Sequence, residues 1–173
     1  QQWDKSITDS ALTYLDSIES SRLVTNILFN PTWHKGVVGI VASRIIEHHY
    51  KPTVVLCESN GNLTGSARSV KGFNVYEPLS ACADLMISFG GHAYAAGLSL
   101  PPENLEEFKR RFNAEVAQRI NPEDLVPKIS IDMLLNIYDI TPSFYKILQQ
   151  FAPFGPENMR PVFESRSLSD TGY

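Results

Sequence analysis

The stretch Phe89-Gly90-Gly91-His92-Ala93-Tyr94-Ala95-Ala96-Gly97 puts two adjacent glycines before a histidine and a run of small residues after it. Glycine admits positive φ and leaves its N–H unshielded. Successive N–H groups in such a turn make an anion-binding nest. His92 adds a side chain that donates to a phosphate oxygen, and Ala95-Ala96-Gly97 lets a backbone or a ligand come close. A helix C-cap followed by a tight turn accounts for one glycine, but not for Gly-Gly-His and Ala-Ala-Gly together. A second group stands upstream, in Leu63-Thr64-Gly65-Ser66-Ala67-Arg68-Ser69. Read as a strand, it puts Ser66 and Arg68 on one face and the small Gly65, Ala67 and Ser69 on the other. A hydroxyl beside a guanidinium is a phosphate clasp. An ordinary surface arginine on an exposed strand accounts at least as well for that pair taken alone.

The elements that must position these residues follow from hydrophobic period and punctuation. Ile7, Ala11, Leu12, Leu15 and Ile18 form one stripe of a helix over residues 5–19. The apolar run 23–29 reads as a strand that Asn30-Pro31-Thr32 breaks. A helix over 35–49 is apolar around most of its circumference, with Gly36, Gly39 and Ser43 as a stripe of small residues. Glycine inside a helix costs up to ~1 kcal/mol against alanine, so something approaches there, and a neighbouring strand is the ordinary candidate. Residues 52–57 make a buried strand, which implies a right-handed parallel crossover. Asn60-Gly61 is a hairpin turn leading into strand 63–69. Asn74 caps a third helix over 75–88, with Glu77 at the capping-box position and Leu79, Cys82, Leu85 and Met86 buried. That helix ends at a Gly90-Gly91 turn, before a strand over 94–100 and an amphipathic helix over 103–120. Thr141-Pro142 starts a helix over 143–151, between strands over 128–134 and 161–167. The expected fold is α/β: a central mixed β-sheet flanked by helices, followed by an incomplete α+β piece with too few elements to bury a complete core. Arg68 and His92 reach one edge of that sheet if their strands are neighbours.

Composition narrows the chemistry. A net charge of −4 over 173 residues argues against a generally basic nucleic-acid coat, so any such contact is a local patch. An apolar fraction of 43% suffices for a core. Cys57 and Cys82 lie in apolar runs, as reduced cysteines of a cytoplasmic protein do. No apolar stretch is long enough for a membrane span. His34, His48, His49 and His92 stand in no zinc-type spacing with cysteine, and Glu47-His48-His49 reads as a solvated helix end. No nucleophile elbow, phosphate-binding P-loop or two-metal carboxylate cluster is present. The start without Met and the break after Ser167 read as a piece of a longer protein.

Three motifs in order carry a family resemblance: Trp33-His34-Lys35-Gly36-Val37-Val38-Gly39-Ile40-Val41-Ala42-Ser43-Arg44, then Gly65-Ser66-Ala67-Arg68-Ser69, then Gly90 to Gly97. They resemble the RecJ family of single-stranded-DNA-specific 5′→3′ exonucleases, within the DHH phosphoesterase superfamily. Phe151-Ala152-Pro153-Phe154-Gly155-Pro156-Glu157-Asn158 through Pro161-Val162-Phe163 is similar to the segment that enters the family's OB-fold domain, although Glu157-Asn158-Met159 stands where the family more often has Gly-Asn-Pro. The resemblance implies a connector helix over 1–21, a DHH-associated substrate-binding domain over 22–121 and the start of an OB-fold domain over 122–173. It implies backbone-phosphate contacts at Ser66 and Arg68, with Ser69 beside them. It also implies that Gly90, Gly91 and His92 close on the scissile phosphate, His92 assisting catalysis. The partners it implies are single-stranded DNA and an N-terminal DHH domain of the same protein, outside this chain, that holds two Mn²⁺ or Mg²⁺ ions and hydrolyses the phosphodiester. This chain itself is then expected to hold no metal, to be inactive alone and to have no membrane partner. A relative acting on short oligonucleotides or cyclic dinucleotides shares Gly-Gly-His but is not expected to run into 151–163. A protein-interaction module is expected to show no phosphate response at Arg68 or His92.

Overall fold

The computed structural model describes residues 2–17, 23–170 and 172. The chain divides into two compact units, Gln1–Pro127 and Lys128–Tyr173. In the first, helix α1 (Gln2–Ser17) is followed by strand β1 (Asn26–Phe29), helix α2 (Val38–His48) and strand β2 (Thr53–Ser59). Strand β3 (Asn62–Arg68), a short helix α3 (Tyr76–Ser80), strands β4 (Ser88–His92) and β5 (Ala95–Leu100), and helix α4 (Leu105–Arg119) complete it. Of the stripe expected on the first helix, Ile18 lies outside the described residues.

The sheet runs β1-β2-β3-β5-β4, with β1 parallel to β2 and the other pairs antiparallel. The β1-α2-β2 crossover and the β2–β3 hairpin stand where the sequence puts them. At the hairpin, Asn60 and Gly61 take φ of 54° and 76°, the paired positive values of a type I′ turn. On one face of the sheet, Val54, Leu56, Leu63, Ala67, Ala96, Leu98 and Leu100 pack with Phe108, Phe112 and Val116 of α4 and Leu79 of α3. On the other, Leu28, Val55 and Cys57 pack under Val38, Val41, Ala42 and Ile45 of α2 and Ala11 and Leu15 of α1. Those two helices cover β1 and β2, and α2 extends over β3. The same face of β5 and β4 carries no buried side chain.

Three expectations fail here. The third helix does not run over 75–88, because α3 stops at Ser80 and a 3₁₀ turn occupies Ala83–Leu85. The carbonyls freed at that end are satisfied from α4 and its approach. Arg111 donates to Ala81 O at 2.7 Å and Asn104 to Leu85 O at 2.9 Å. Arg111 also pairs with Asp84 at 2.7 Å and holds its carboxyl below the usual carboxylate range. Leu79 and Cys82 are buried as the helical period requires, but the period continues through a tighter turn. Nor do Gly90-Gly91 form a turn: they lie inside β4, an edge strand that the sequence reading lacks. At the start of α3, Asn74 accepts from Tyr76 N at 3.1 Å and donates to Glu77 at 3.0 Å, but the helix is flanked by Val75, which makes no side-chain cap, so the expected capping box is replaced by a side-chain pair one residue further out.

In the second unit, strands over 128–134 and 161–167 shrink to β6 (Met133–Leu134) and β7 (Phe163–Glu164), a parallel pair. Helix α5 (Pro142–Gln149) starts as expected, with Thr141 accepting from Phe144 N at 3.1 Å. No described residue from 128 onward is buried, which is what so few elements allow.

Candidate functional site

Register decides which side chains meet. In β3–β5 pairing Arg68 stands opposite Ala95 and Ser66 opposite Gly97; in β4–β5 pairing His92 stands opposite Ala95 and Gly90 opposite Gly97. Residues directly opposed across strands project to the same face. Arg68, Ala95 and His92 therefore form one row, and Ser66, Gly97 and Gly90 the next, about 7 Å along the strands. A third row adds Thr64, Ser99 and Ser88. All three rows lie on the α2 side of the sheet: α2 packs on their β3 end, and their β5 and β4 positions carry no buried side chain. Arg68 and His92 are about 10 Å apart at the backbone, two interstrand spacings. Ser88, Gly90 and His92 are exposed, and Arg68 is half-buried.

The floor between them is bare. A Cβ at Gly90 meets nothing within 4 Å, and one at Gly97 nothing nearer than Gly65 O at 4.0 Å. Neither glycine has positive φ. Gly91 is different: its φ is 151°, and a Cβ there stands 2.3 Å from Ala95 O and 2.5 Å from Ala96 Cα. It points to the core-side face, opposite Ala96. A nest of consecutive N–H groups is thus replaced by the outer edge of β4, where alternate N–H groups face away from β5.

The Arg68 guanidinium is held from the strand side. Its Nη1 donates to Ser66 Oγ and to Ala67 O, the latter at 2.8 Å. Burial lowers its pKa, yet a guanidinium stays charged at neutral pH. Among the described residues it forms no ion pair with a carboxylate. Ser69 is not part of the rows. Its Oγ donates to Phe73 O at 2.8 Å and its N–H to Tyr94 O at 3.1 Å, which closes the loop after β3. With Val75 N donating to Ala93 O at 2.8 Å, that bond fixes the tip of the β4–β5 hairpin. The sequence reading missed Gly97, Ser99, Thr64 and Ser88 as neighbours of Ser66 and His92. Their signal was the alternation along β5 and β4, which is invisible while 88–92 is taken for a helix end.

The arrangement is an open shelf on an α/β scaffold, with one guanidinium, one imidazole and two bare glycines along its rows. A DHHA1 domain matches residues 2–118 and a RecJ OB domain residues 131–172. The chain belongs to the DHHA1 family, and its second unit is of the RecJ OB type. It is 38% identical over 142 residues to the single-stranded-DNA-specific exonuclease RecJ of Bacillus subtilis, covering 80% of this chain and 18% of that protein. With the Escherichia coli RecJ it shares 34% over 162 residues, covering 89% and 28%. The crystal structure of RecJ from Thermus thermophilus in complex with Mn²⁺ superposes with a TM-score of 0.79 at 28% identity, covering 94% of this chain and 24% of that one. A second from the same organism is in complex with Mg²⁺. The chain thus spans between 18% and 28% of these RecJ relatives. Among the described residues no group of three or more His, Cys, Asp or Glu gathers as a cation needs, and no helix is long and apolar enough to cross a membrane.

Proposed function

We propose that this chain is the single-stranded-DNA-binding portion of a RecJ-type 5′→3′ exonuclease, holding the substrate backbone for a DHH catalytic domain outside it. The observation that carries the reading is the row register: one permanent cation, one imidazole and two uncovered glycines share an open face of the sheet. A glycine that neither its φ nor its neighbours require leaves room for something else, and a sugar-phosphate backbone laid across β3, β5 and β4 uses it. Arg68 gives a planar fork suited to phosphate oxygens. Ser66 and His92 add donors, and the β4 edge adds N–H groups. Hydrolysis, with its Mn²⁺ or Mg²⁺, belongs to the DHH domain; the chain alone does not cleave DNA when either ion is added.

The test is a double-mutant cycle in the full-length enzyme. Arg68→Ala weakens single-strand binding by about 1.5–3 kcal/mol, as for a lost charged hydrogen bond. His92→Ala lowers turnover more than binding if it meets the reacting phosphate. The two losses couple, because one phosphate backbone bridges them. Strict additivity, with neither loss depending on strand length, contradicts a shared site. Equal losses on long single strands and on dinucleotides favour a short-substrate enzyme instead, and no loss on either points to a protein-interaction module.

A further inference from the structure

Gly39 sits in the first turn of α2, which starts at Val38. Its φ is not positive, so backbone conformation does not ask for glycine, and glycine is the least favourable helix residue after proline. The reason lies across the gap to β3. A Cβ built on Gly39 stands 2.7 Å from Nη2 of Arg68, 3.5 Å from its Cζ and 3.4 Å from Ser66 Oγ. Outside its chain neighbours and its own helix backbone these are its three nearest atoms; all belong to Ser66 and Arg68 and none is backbone. The guanidinium is thus gripped on two sides. Nη1 is pinned to the strand by Ser66 Oγ and Ala67 O, and Nη2 lies in the notch that the missing side chain leaves in the helix. That notch lets the fork fold back over Ser66 rather than extend into solvent.

We propose that Gly39 is a positioning residue: it accepts a helix penalty so that the Arg68 fork stays flat against β3 beside Ser66. The inference rests on the reading of Arg68 as a phosphate ligand. A methyl at position 39 displaces only the end of a flexible side chain, so the fold survives while the fork turns away.

The measurement is fluorescence anisotropy of a labelled single-stranded oligonucleotide with this chain, at one low salt concentration. It is made for the unaltered chain, Gly39→Ala, Arg68→Ala and the double variant, with thermal melting of each. Gly39→Ala weakens binding roughly tenfold, the scale of a charged hydrogen bond lost or misdirected, and its melting temperature does not fall. In the DNA-free protein its Arg68 Nε–Hε NMR signal moves. The double variant binds no more weakly than Arg68→Ala, because the notch has lost its occupant. If Arg68→Ala weakens binding and Gly39→Ala does not, the positioning role is refuted while the phosphate reading stands. If Arg68→Ala leaves binding unchanged, the phosphate reading itself falls, and the role of Gly39 with it. If Gly39→Ala lowers melting temperature and binding alike in both backgrounds, it acts on the fold, and the proposal is overturned.

Discussion

A methyl group at Gly90 and one at Gly91 have opposite consequences, although the residues are adjacent. At Gly91 the positive φ and the 2.3 Å approach to Ala95 O leave no room for it. Gly91→Ala therefore destabilises the domain by about 1–3 kcal/mol, the cost of a strained backbone, read from urea unfolding. At Gly90 the space is empty. Gly90→Ala leaves stability unchanged or raises it by about 0.5–1 kcal/mol, because alanine has less backbone entropy to lose. Its effect falls on DNA binding, since the methyl rises from the floor beside Gly97. Loss of stability at 90, or unaltered binding, contradicts the reading of a floor kept low for a ligand. Cys82 gives a residue-scale test of another kind. Burial pushes its thiol up from 9.0 to about 11, against an opposing pull from Arg111. The folded state then holds the proton more tightly than the unfolded chain. That contribution is complete below pH 9 and is lost as pH rises toward 11. The alkaline fall in unfolding free energy is accordingly shallower in Cys82→Ala.

At the scale of elements, Gly65 shows how closely the strands must pass. A Cβ there lies 2.1 Å from Val55 O on the paired strand, so Gly65→Ala forces β2 and β3 apart at a cost of about 1–3 kcal/mol, as for core overpacking. An unchanged urea midpoint counts against that geometry. Much of the element order was legible beforehand. The β1-α2-β2 crossover, the Asn60-Gly61 hairpin and α4 carry strong periods and punctuation of their own. What failed was 81–92. Leu79, Cys82, Leu85 and Met86 keep a helical spacing although only five residues are α-helix. Arg111 and Asn104, 19 to 30 positions away in sequence, satisfy the early helix end, and such tertiary partners have no local signature. The candidate site was legible as residues and not as geometry: Ser66, Arg68, Gly90 and His92 were named, but the strand that carries Gly90 and His92 into line with Gly97 and Ala95 was read as a helix end and a turn. Glu157 is a parallel case in the second unit. Its φ of 67° is a conformation costing roughly 1–2 kcal/mol for a residue with a side chain, and glycine is what the RecJ resemblance leads one to expect there. Glu157→Gly should raise the stability of that unit, measured by hydrogen exchange between 151 and 164.

At the scale of the molecule, a net charge of −4 gives DNA no general attraction, so the proposed binding rests on the shelf alone. Arg68 is the permanent cation of its rows, and neutralising a single phosphate on a single strand gives a slope of about −0.7 in log affinity against log salt. The intact chain should show a slope of that order and Arg68→Ala a flatter one; a steep slope unaffected by that variant places the contact elsewhere. The central claim, that the open face of β3, β5 and β4 receives a phosphate backbone, is tested most directly by titrating the isotope-labelled chain with a short single-stranded oligonucleotide and following amide and Arg68 side-chain NMR signals. The account predicts shifts concentrated at Ser66, Arg68, Gly90, His92, Gly97 and Ser99, abolished in Arg68→Ala, with β1 and α4 silent. Shifts confined to β1 or α4, or none at any of the six, would contradict it.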